Sequence, residues 1–462
     1  MEAKQIVFLF LLFTVIISVS SDPLQYQHQV FFPTSLPQVG QSLETLSWDV
    51  PHQLSDFDSE TPLIVVRLHH VHHLSKSSTS TPESLFLNRL KRDAVRARTM
   101  ASRKSRNFSS SLIPGASMGS GEYFTRIGFG TPAKRFYLAI DTGSDLTWLQ
   151  CKPCQKCYSQ VDDIFDPKYS RSFASVHCNS TLCSLLDQRR CNKDQCLYEV
   201  TYGDQSTTSG EFSTETLTFG ATKVPQLPFG CGNDNEGLFG GFAGLLGLGQ
   251  GKLSFPAQAD IQKFSYCLVG WGSNSSSYLM FGDSAVSRKA VFTSLLTNPA
   301  IDTYYYVELQ GISVGGNRVR GINPSLFQLS SDGDGGVIVD SGTVLTWLVQ
   351  PAYNALRNAF LAGTRGLKRA KKFSILDTCF DLHGMKKVNV PTVVLHFKGA
   401  NVSLPESNIL YPADTIGRKY CFAFAGKTSP GRLSIIGNFQ QQGFRVSFDL
   451  DKQRIGFSPE SC

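Results

Sequence analysis

The sequence predicts an all-β protein of two related halves behind a separate N-terminal segment. Three observations carry that prediction. The composition, with 40 Gly, 33 Phe and 18% charged residues in 462, favours aromatic strands and many turns over a helical bundle. Short runs such as Tyr304 to Leu309, Val393 to Phe397 and Arg445 to Phe448 alternate or stay β-branched and aromatic, as strands do, while helical signal concentrates at Pro351 to Ala362. Two segments about 200 residues apart nearly repeat each other: Asp141-Thr142-Gly143-Ser144 and Asp340-Ser341-Gly342-Thr343.

Each copy follows an apolar run, Phe136-Tyr137-Leu138-Ala139-Ile140 in one case and Val337-Ile338-Val339 in the other. Each is followed at a distance by an apolar pair and a glycine: Leu245-Leu246-Gly247 begins 104 positions after Asp141, and Ile435-Ile436-Gly437 begins 95 after Asp340. A lone acid-hydroxyl-glycine triplet reads as an ordinary Asx turn. Two copies in matching contexts read as an internal duplication with one carboxylate per half. Halves packed about a pseudo-twofold axis bring the two Asp turns to their interface, where ligand sites tend to lie.

Residues 1–21 read as a signal peptide: Lys4, an apolar stretch from Ile6 to Ile17, then Ser18, Ser20 and Ser21. That stretch is short for a membrane span, and no apolar tail precedes Cys462, so the expected product is exported without a membrane anchor. Residues 22–115 differ from the rest. They hold six of the nine His (His69, His70, His72 and His73 among them), no Cys, and a basic run from Arg89 to Arg106. In an exported chain that run reads as a solvated helix face or a disordered tail rather than a nucleic-acid patch, and in its sharper reading as a removable, basic, His-rich pro-segment whose cations lie over a carboxylate-lined cleft. The remainder carries 33 Lys and Arg against 28 Asp and Glu, a balance too mild to name a partner.

All 12 Cys lie from Cys151 onward, an even number in an exported chain, which implies disulfides. The Cys151-x2-Cys154-x2-Cys157 cluster has thiolate spacing that zinc also uses, but it contains no His and the compartment is oxidising, so no metal and no cofactor are expected. Sequons at Asn107, Asn179, Asn274 and Asn401 fit export and surface glycans.

Two carboxyl groups about 3 Å apart cannot both ionise at ordinary cost, so one serves as base and the other as acid. Water held between them can be deprotonated as it attacks a peptide carbonyl, while the protonated partner stabilises the oxygen. Gly143 and Gly342 allow a tight turn beside each carboxylate, Ser144 and Thr343 can donate to the outer oxygens, and Thr142 and Ser341 can cross-link the turns beneath.

From about Gly121 to Cys462 the chain resembles the pepsin-like aspartic proteases in its two Asp-Thr/Ser-Gly motifs, its two apolar-apolar-Gly segments and a flap. The resemblance implies a bilobal β fold with the cleft between two lobes, 116–300 carrying Asp141 and 301–462 carrying Asp340. It also makes Tyr202, in Tyr202-Gly203-Asp204, the tyrosine of a β-hairpin flap, with its phenol bonded to Trp148. Within the family the chain is similar to the plant nepenthesin-like branch through Cys178-x4-Cys183-x7-Cys191-x4-Cys196, and it has no room for a saposin-like insert. That analogy implies the pairs Cys178–Cys196, Cys183–Cys191, Cys157–Cys231, Cys151–Cys154, Cys379–Cys421 and Cys267–Cys462, none of which spacing alone establishes. The expected function is a secreted, monomeric acid endopeptidase made as a zymogen, acting on peptides and held inactive by its own pro-segment. Its expected address is the cell wall, with vacuole and endoplasmic reticulum as alternatives. The rival is a non-catalytic binding protein on the same fold, similar to plant xylanase inhibitors.

Overall fold

A computed structural model describes residues 27–33, 64–70, 82–102, 123–202, 205–237, 239, 241–270, 277–414, 416–427 and 431–459. The expected signal segment, Asn107, Gly203, Asp204, Asn274 and Cys462 lie outside them. The chain enters through β1 (His28–Phe31), β2 (Ile64–His70) and the helix α1 (Pro82–Ser102). β3 (Tyr123–Phe129), β4 (Lys134–Asp141) and β5 (Trp148–Gln150) follow.

The sequence duplication is a structural repeat. β4 runs parallel to strand Gly244–Gly247 with Asp141 opposite Gly247, and β5 closes antiparallel on that strand with Trp148 opposite Leu245. In the second half, Val337–Val339 runs parallel to Ser434–Ile436, and Thr346–Val349 closes on it with Trp347 opposite Ile435. The apolar run before each Asp is therefore the buried parallel strand, which reads as continuous hydrophobics because both its faces are covered. Both glycines that end the apolar pairs sit where strands cross: a Cβ at Gly247 would strike the Asp145 carbonyl, and one at Gly437 the Leu345 carbonyl.

A further likeness surfaces only here. Leu146-Thr147-Trp148-Leu149 matches Leu345-Thr346-Trp347-Leu348, and the two threonines do the same work. The Gly247 N–H donates to Thr147 Oγ1 at 3.2 Å, and the Gly437 N–H to Thr346 Oγ1 at 3.2 Å. Each bond satisfies a buried backbone donor at a crossing where no ladder partner is available.

Strands Lys263–Cys267, Ser277–Phe281, Phe444–Asp449 and Arg454–Pro459 form a sheet whose middle is aromatic, with Phe264 and Phe448 stacked at 4.4 Å. β2 is sewn into this system. It pairs with Ser277–Phe281 from Ile64 opposite Phe281 to Leu68 opposite Ser277, then with β3 through His69 and His70. Val66 and Leu68 enter the main core. The helix expected at Pro351 to Ala362 spans Gln350–Gly363 and buries Ala352, Tyr353, Leu356 and Phe360, the stripe that a 3.6-residue period places on one face. No helix among the described residues is long and apolar enough to cross a membrane.

The disulfides correct four expected pairs. Cys151 joins Cys231, Cys154 joins Cys157, Cys178 joins Cys191 and Cys183 joins Cys196, whereas Cys379–Cys421 is as expected. Cys267 is also bonded, and its expected partner lies outside the described residues. The physical reasons are local. The Cys151 N–H donates to the Gly232 carbonyl at 2.7 Å, which sets Cys151 beside Cys231 and leaves Cys154 and Cys157 to close their own turn. In the hairpin Arg189–Asn192/Gln195–Thr201, Cys196 is fully buried and meets the fully buried Cys183, while the exposed Cys191 meets Cys178. Peptide mapping under non-reducing conditions should recover Cys183–Cys196 and Cys178–Cys191. Replacing both Cys183 and Cys196 by Ala should cost about 3 kcal/mol in denaturant unfolding, the chain-entropy value for a loop of this size.

Candidate active site

Asp141 leaves the end of β4 and Asp340 follows Val337–Val339, so two buried parallel strands aim two carboxylates at one point; both residues are fully buried. The turns are near copies. Gly143 N–H donates to Asp141 Oδ1 and Gly342 N–H to Asp340 Oδ1, each at 2.9 Å. Ser144 Oγ donates to Asp141 Oδ2 at 2.8 Å, and Thr343 Oγ1 to Asp340 Oδ2 at 2.5 Å. Beneath them the Ser341 N–H donates to Thr142 Oγ1 at 2.9 Å and the Thr142 N–H to Ser341 Oγ at 3.1 Å. These reciprocal bonds cross-link the halves and fix the separation of the carboxylates.

Sequence inspection missed the support on the second side. Asn438 Nδ2 donates to the Ser341 carbonyl at 2.9 Å, and Gln441 Nε2 to the carbonyls of Ile436 and Asp340 at 2.8 and 3.3 Å. Their position just after the Ile435-Ile436-Gly437 segment was the available signal. On the first side, Trp148 Nε1 donates to Tyr202 Oη at 2.5 Å, and the ring of Phe239 packs edge-on against both aromatics at 5.0 and 6.4 Å. Tyr202 sits at a hairpin turn in which its N–H donates to the Ser206 carbonyl, and Thr201 pairs with Thr207. The rest of the expected flap tip, Gly203 and Asp204, falls outside the described residues.

The residue that occupies the centre is Arg96 of α1, which the sequence showed only as one cation in a run. Its Nη2 donates to Asp141 Oδ1 at 2.7 Å and to Asp340 Oδ1 at 3.2 Å, and its Nε to Asp340 Oδ2 at 3.0 Å. One nitrogen thus bridges both acids. Far from being a solvated face, α1 buries Arg89, Leu90, Arg92, Asp93, Ala94, Arg96, Ala97 and Met100, a broad face of the helix, and of its buried arginines Arg96 is the one bonded to both acids. Asp93 adds a second tie: its Oδ2 accepts from the N–H groups of Val344 and Leu345 at 2.8 and 2.9 Å, immediately beyond Thr343.

The electrostatics of the pair are unequal. Burial pushes the Asp141 carboxyl up, but the Arg96 charge and the donors Ser144, Arg96 and Gly143 outweigh it and hold Asp141 below the usual carboxylate range. Burial also pushes Asp340 up; Arg96 opposes this, the Asp141 charge reinforces it, and Asp340 stays raised. Arg96 is penalised by burial and held charged by the two carboxylates. Among the described residues no cluster of three or more His, Cys, Asp and Glu is placed to hold a metal ion. Asn179 and Asn401 are both exposed.

A further acid, the half-buried Asp145, lies one residue past the first turn. Asp145 accepts from Thr303 Oγ1 at 2.7 Å and from the Gly251 N–H at 2.9 Å, linking the turn to the start of the second half; its counterpart in the repeat is Val344. Burial pushes its carboxyl up to about 6 against those two donors, with Asp302 and Asp187 adding to the rise. The fold therefore favours the neutral form. Its stabilising contribution is full below about pH 4 and is lost as pH rises through about 6. Asp145→Asn should remove that loss, leaving the variant up to ~3 kcal/mol more stable than the parent at pH 7 and nearly equal at pH 4, measured by denaturant unfolding.

Comparison with known proteins identifies the family. The family models described as Xylanase inhibitor N-terminal and Xylanase inhibitor C-terminal match residues 123–283 and 304–459. Aspartyl protease family protein 2 of Arabidopsis thaliana is 55% identical over 418 residues, covering 86% of this chain and 85% of its own. Aspartic proteinase nepenthesin-2 of Nepenthes gracilis is 43% identical, covering 74% and 78%. The crystal structure of Basic 7S globulin from soybean superposes with a TM-score of 0.60 at 22% identity, covering 73% of this chain and 93% of that one, a likeness of fold. The chain belongs to the plant pepsin-like aspartic protease family.

Proposed function

We propose that this chain is the precursor of a secreted aspartic endopeptidase, in which residues 1–21 are a signal peptide and 22–115 a removable pro-segment that inhibits the site. Asp141 and Asp340 are its catalytic pair, Tyr202 with Gly203 and Asp204 its flap, and peptides its substrates. The observation that carries this proposal is the single guanidinium nitrogen of Arg96 bonded to both carboxylates. A cation held there offsets one charge of the pair and occupies the place of the water and the scissile carbonyl.

Once α1 leaves, the two acids lose their counter-charge, and like charges this close retain one proton between them, as in the pepsin pair. The ionised carboxylate takes a proton from water as its oxygen bonds to the peptide carbonyl carbon. The protonated partner gives its proton toward the carbonyl oxygen, forming a neutral tetrahedral diol. Collapse breaks the C–N bond as the first carboxyl passes the proton it took from water to the leaving nitrogen and the second carboxylate takes back a diol proton, which restores the pair. Ser144 and Thr343 hold the outer oxygens throughout, so neither carboxyl need reorganise. The family models bear the name of xylanase inhibitors, but the intact pair of acids and their duplicated donors favour the peptidase.

The pH at which α1 lets go follows from the unequal pair. As pH falls, Asp340 takes its proton first and weakens one contact, while Asp141, held below the usual range, keeps its charge against Arg96. The Asp141 contribution is full above the ordinary Asp value near 4 and is lost only as pH falls through the lowered one. Conversion of the precursor should accordingly begin below about pH 4, followed by mass spectrometry of the N-terminus. Arg96→Gln leaves two buried acids without their counter-charge, a destabilisation of the closed state of about 3 kcal/mol, or roughly 100-fold in the open population. The variant should convert at a higher pH; an unchanged conversion pH would count against inhibition by α1. Asp141→Asn and Asp340→Asn should each lower peptide cleavage at least ~100-fold with folding retained, by circular dichroism and activity on a peptide library.

A further inference from the structure

The N-terminal segment touches the body of the protein at a place remote in sequence from the paired acids. β1 pairs antiparallel with strand Val388–Pro391, from His28 opposite Pro391 to Phe31 opposite Val388. Among the described strands β1 is the only partner of that strand, so without β1 its outer backbone edge is unpaired. The contact is built at both ends. Gln27 donates its N–H to the Gly315 carbonyl at 3.1 Å and accepts from the Thr392 N–H at 3.0 Å. Phe31 is 6% exposed, belongs to the main hydrophobic core and meets Tyr420 edge-on with ring centroids 5.1 Å apart.

Residues 32–63 separate this strand from β2, and none of its described contacts involves Asp141, Asp340 or Arg96. The ionisable groups around it are His28, whose Nε2 lies 3.3 Å from the Gly363 carbonyl, Lys387 against the ring of Phe32, Tyr420, and Glu406 of the one-turn segment Glu406–Asn408 packed on β1. Neither the backbone ladder of β1 nor the Phe31 side chain carries an ionisable group. Acid that loosens Arg96 leaves the backbone ladder and the Phe31 anchor in place. Burial of one Phe side chain contributes about 2–3 kcal/mol, and a strand added to an open edge gains further from its main-chain bonds.

We propose that the edge of Val388–Pro391 is a binding site for one extended peptide strand, separate from the cleft, and that residues 27–33 of this chain stay seated there after their link to α1 is cut. The cut rests on the pro-segment reading; the site does not. The test therefore uses a cut that the protein does not make itself. A recognition sequence for an unrelated protease is placed within residues 45–50 of the full chain carrying Asp141→Asn, and the cleaved protein is passed through gel filtration at pH 7 and pH 4. The N-terminal fragment should co-elute with the body at both pH values. Phe31→Asp, and separately the double variant Gln29→Pro with Val30→Pro, which removes the N–H of two successive strand residues, should each cut the retained fraction at least tenfold. A fragment that elutes free from the parent at either pH overturns the proposal, as does full retention in both variants. Because self-cleavage is not used, either result stands whether or not the chain is a peptidase.

Discussion

Two carboxylates buried at one point are the constraint on which the rest of this structure depends. Neither can be removed from water alone without a large penalty, and side by side they add repulsion to desolvation. The fold answers with donors that come in matched sets: a glycine N–H and a hydroxyl for each acid, and below them the reciprocal bonds of Thr142 and Ser341. Those donors suffice for one charge. The second is met by Arg96, whose planar fork can face two carboxylates at once, as a lysine ammonium on a single point could not.

The cation arrives on a helix with reasons of its own to be there. Leu90 packs in a cluster with Val344, Leu345 and Phe439, and Ala94, Ala97 and Met100 in another with Trp347, Tyr304 and Tyr306. Small residues at 94 and 97 let the helix approach closely enough for Arg96 to reach the acids. Asp93 ties the same turn of helix to the backbone beyond Thr343. Hydrophobic contact, a carboxylate on two N–H groups and a guanidinium on two acids are therefore stacked within four residues of one helix. Only the last depends on the ionisation of the pair.

The two halves are alike in backbone and unlike in charge. Thr147 and Thr346 hold equivalent crossings, and Trp148 and Trp347 occupy equivalent strands. Yet Trp148 gives its N–H to Tyr202, while Trp347 packs against the clustered alanines of α1, and Asp145 faces Thr303 where the second half has Val344. A duplicated scaffold thus carries one half with the Tyr202 hairpin and the extra acid Asp145, and another with the apolar face that receives the helix. The β1 strand extends the same division, since its anchorage on Val388–Pro391 uses only the second half.

Family resemblance pointed to Tyr202 and Trp148; the sequence by itself determined the all-β class, the duplication, and the two aspartates with their glycines and hydroxyls. These follow from local rules, because a period-two pattern, a Gly turn and a repeated motif are all properties of neighbours along the chain. Tertiary structure alone decided which of several cations in one run meets the acids, since a helix brings only one side to the cleft and 45 residues separate Arg96 from Asp141. It also decided the disulfides. Cys178, Cys183, Cys191 and Cys196 permit several pairings by spacing, and depth in the fold selects one: buried Cys196 reaches buried Cys183. Asp145 is the same case in charge, an acid that resembles a turn residue in the sequence and whose carboxyl is pushed up to about 6 by burial in the tertiary structure, against the donor Thr303 158 positions away.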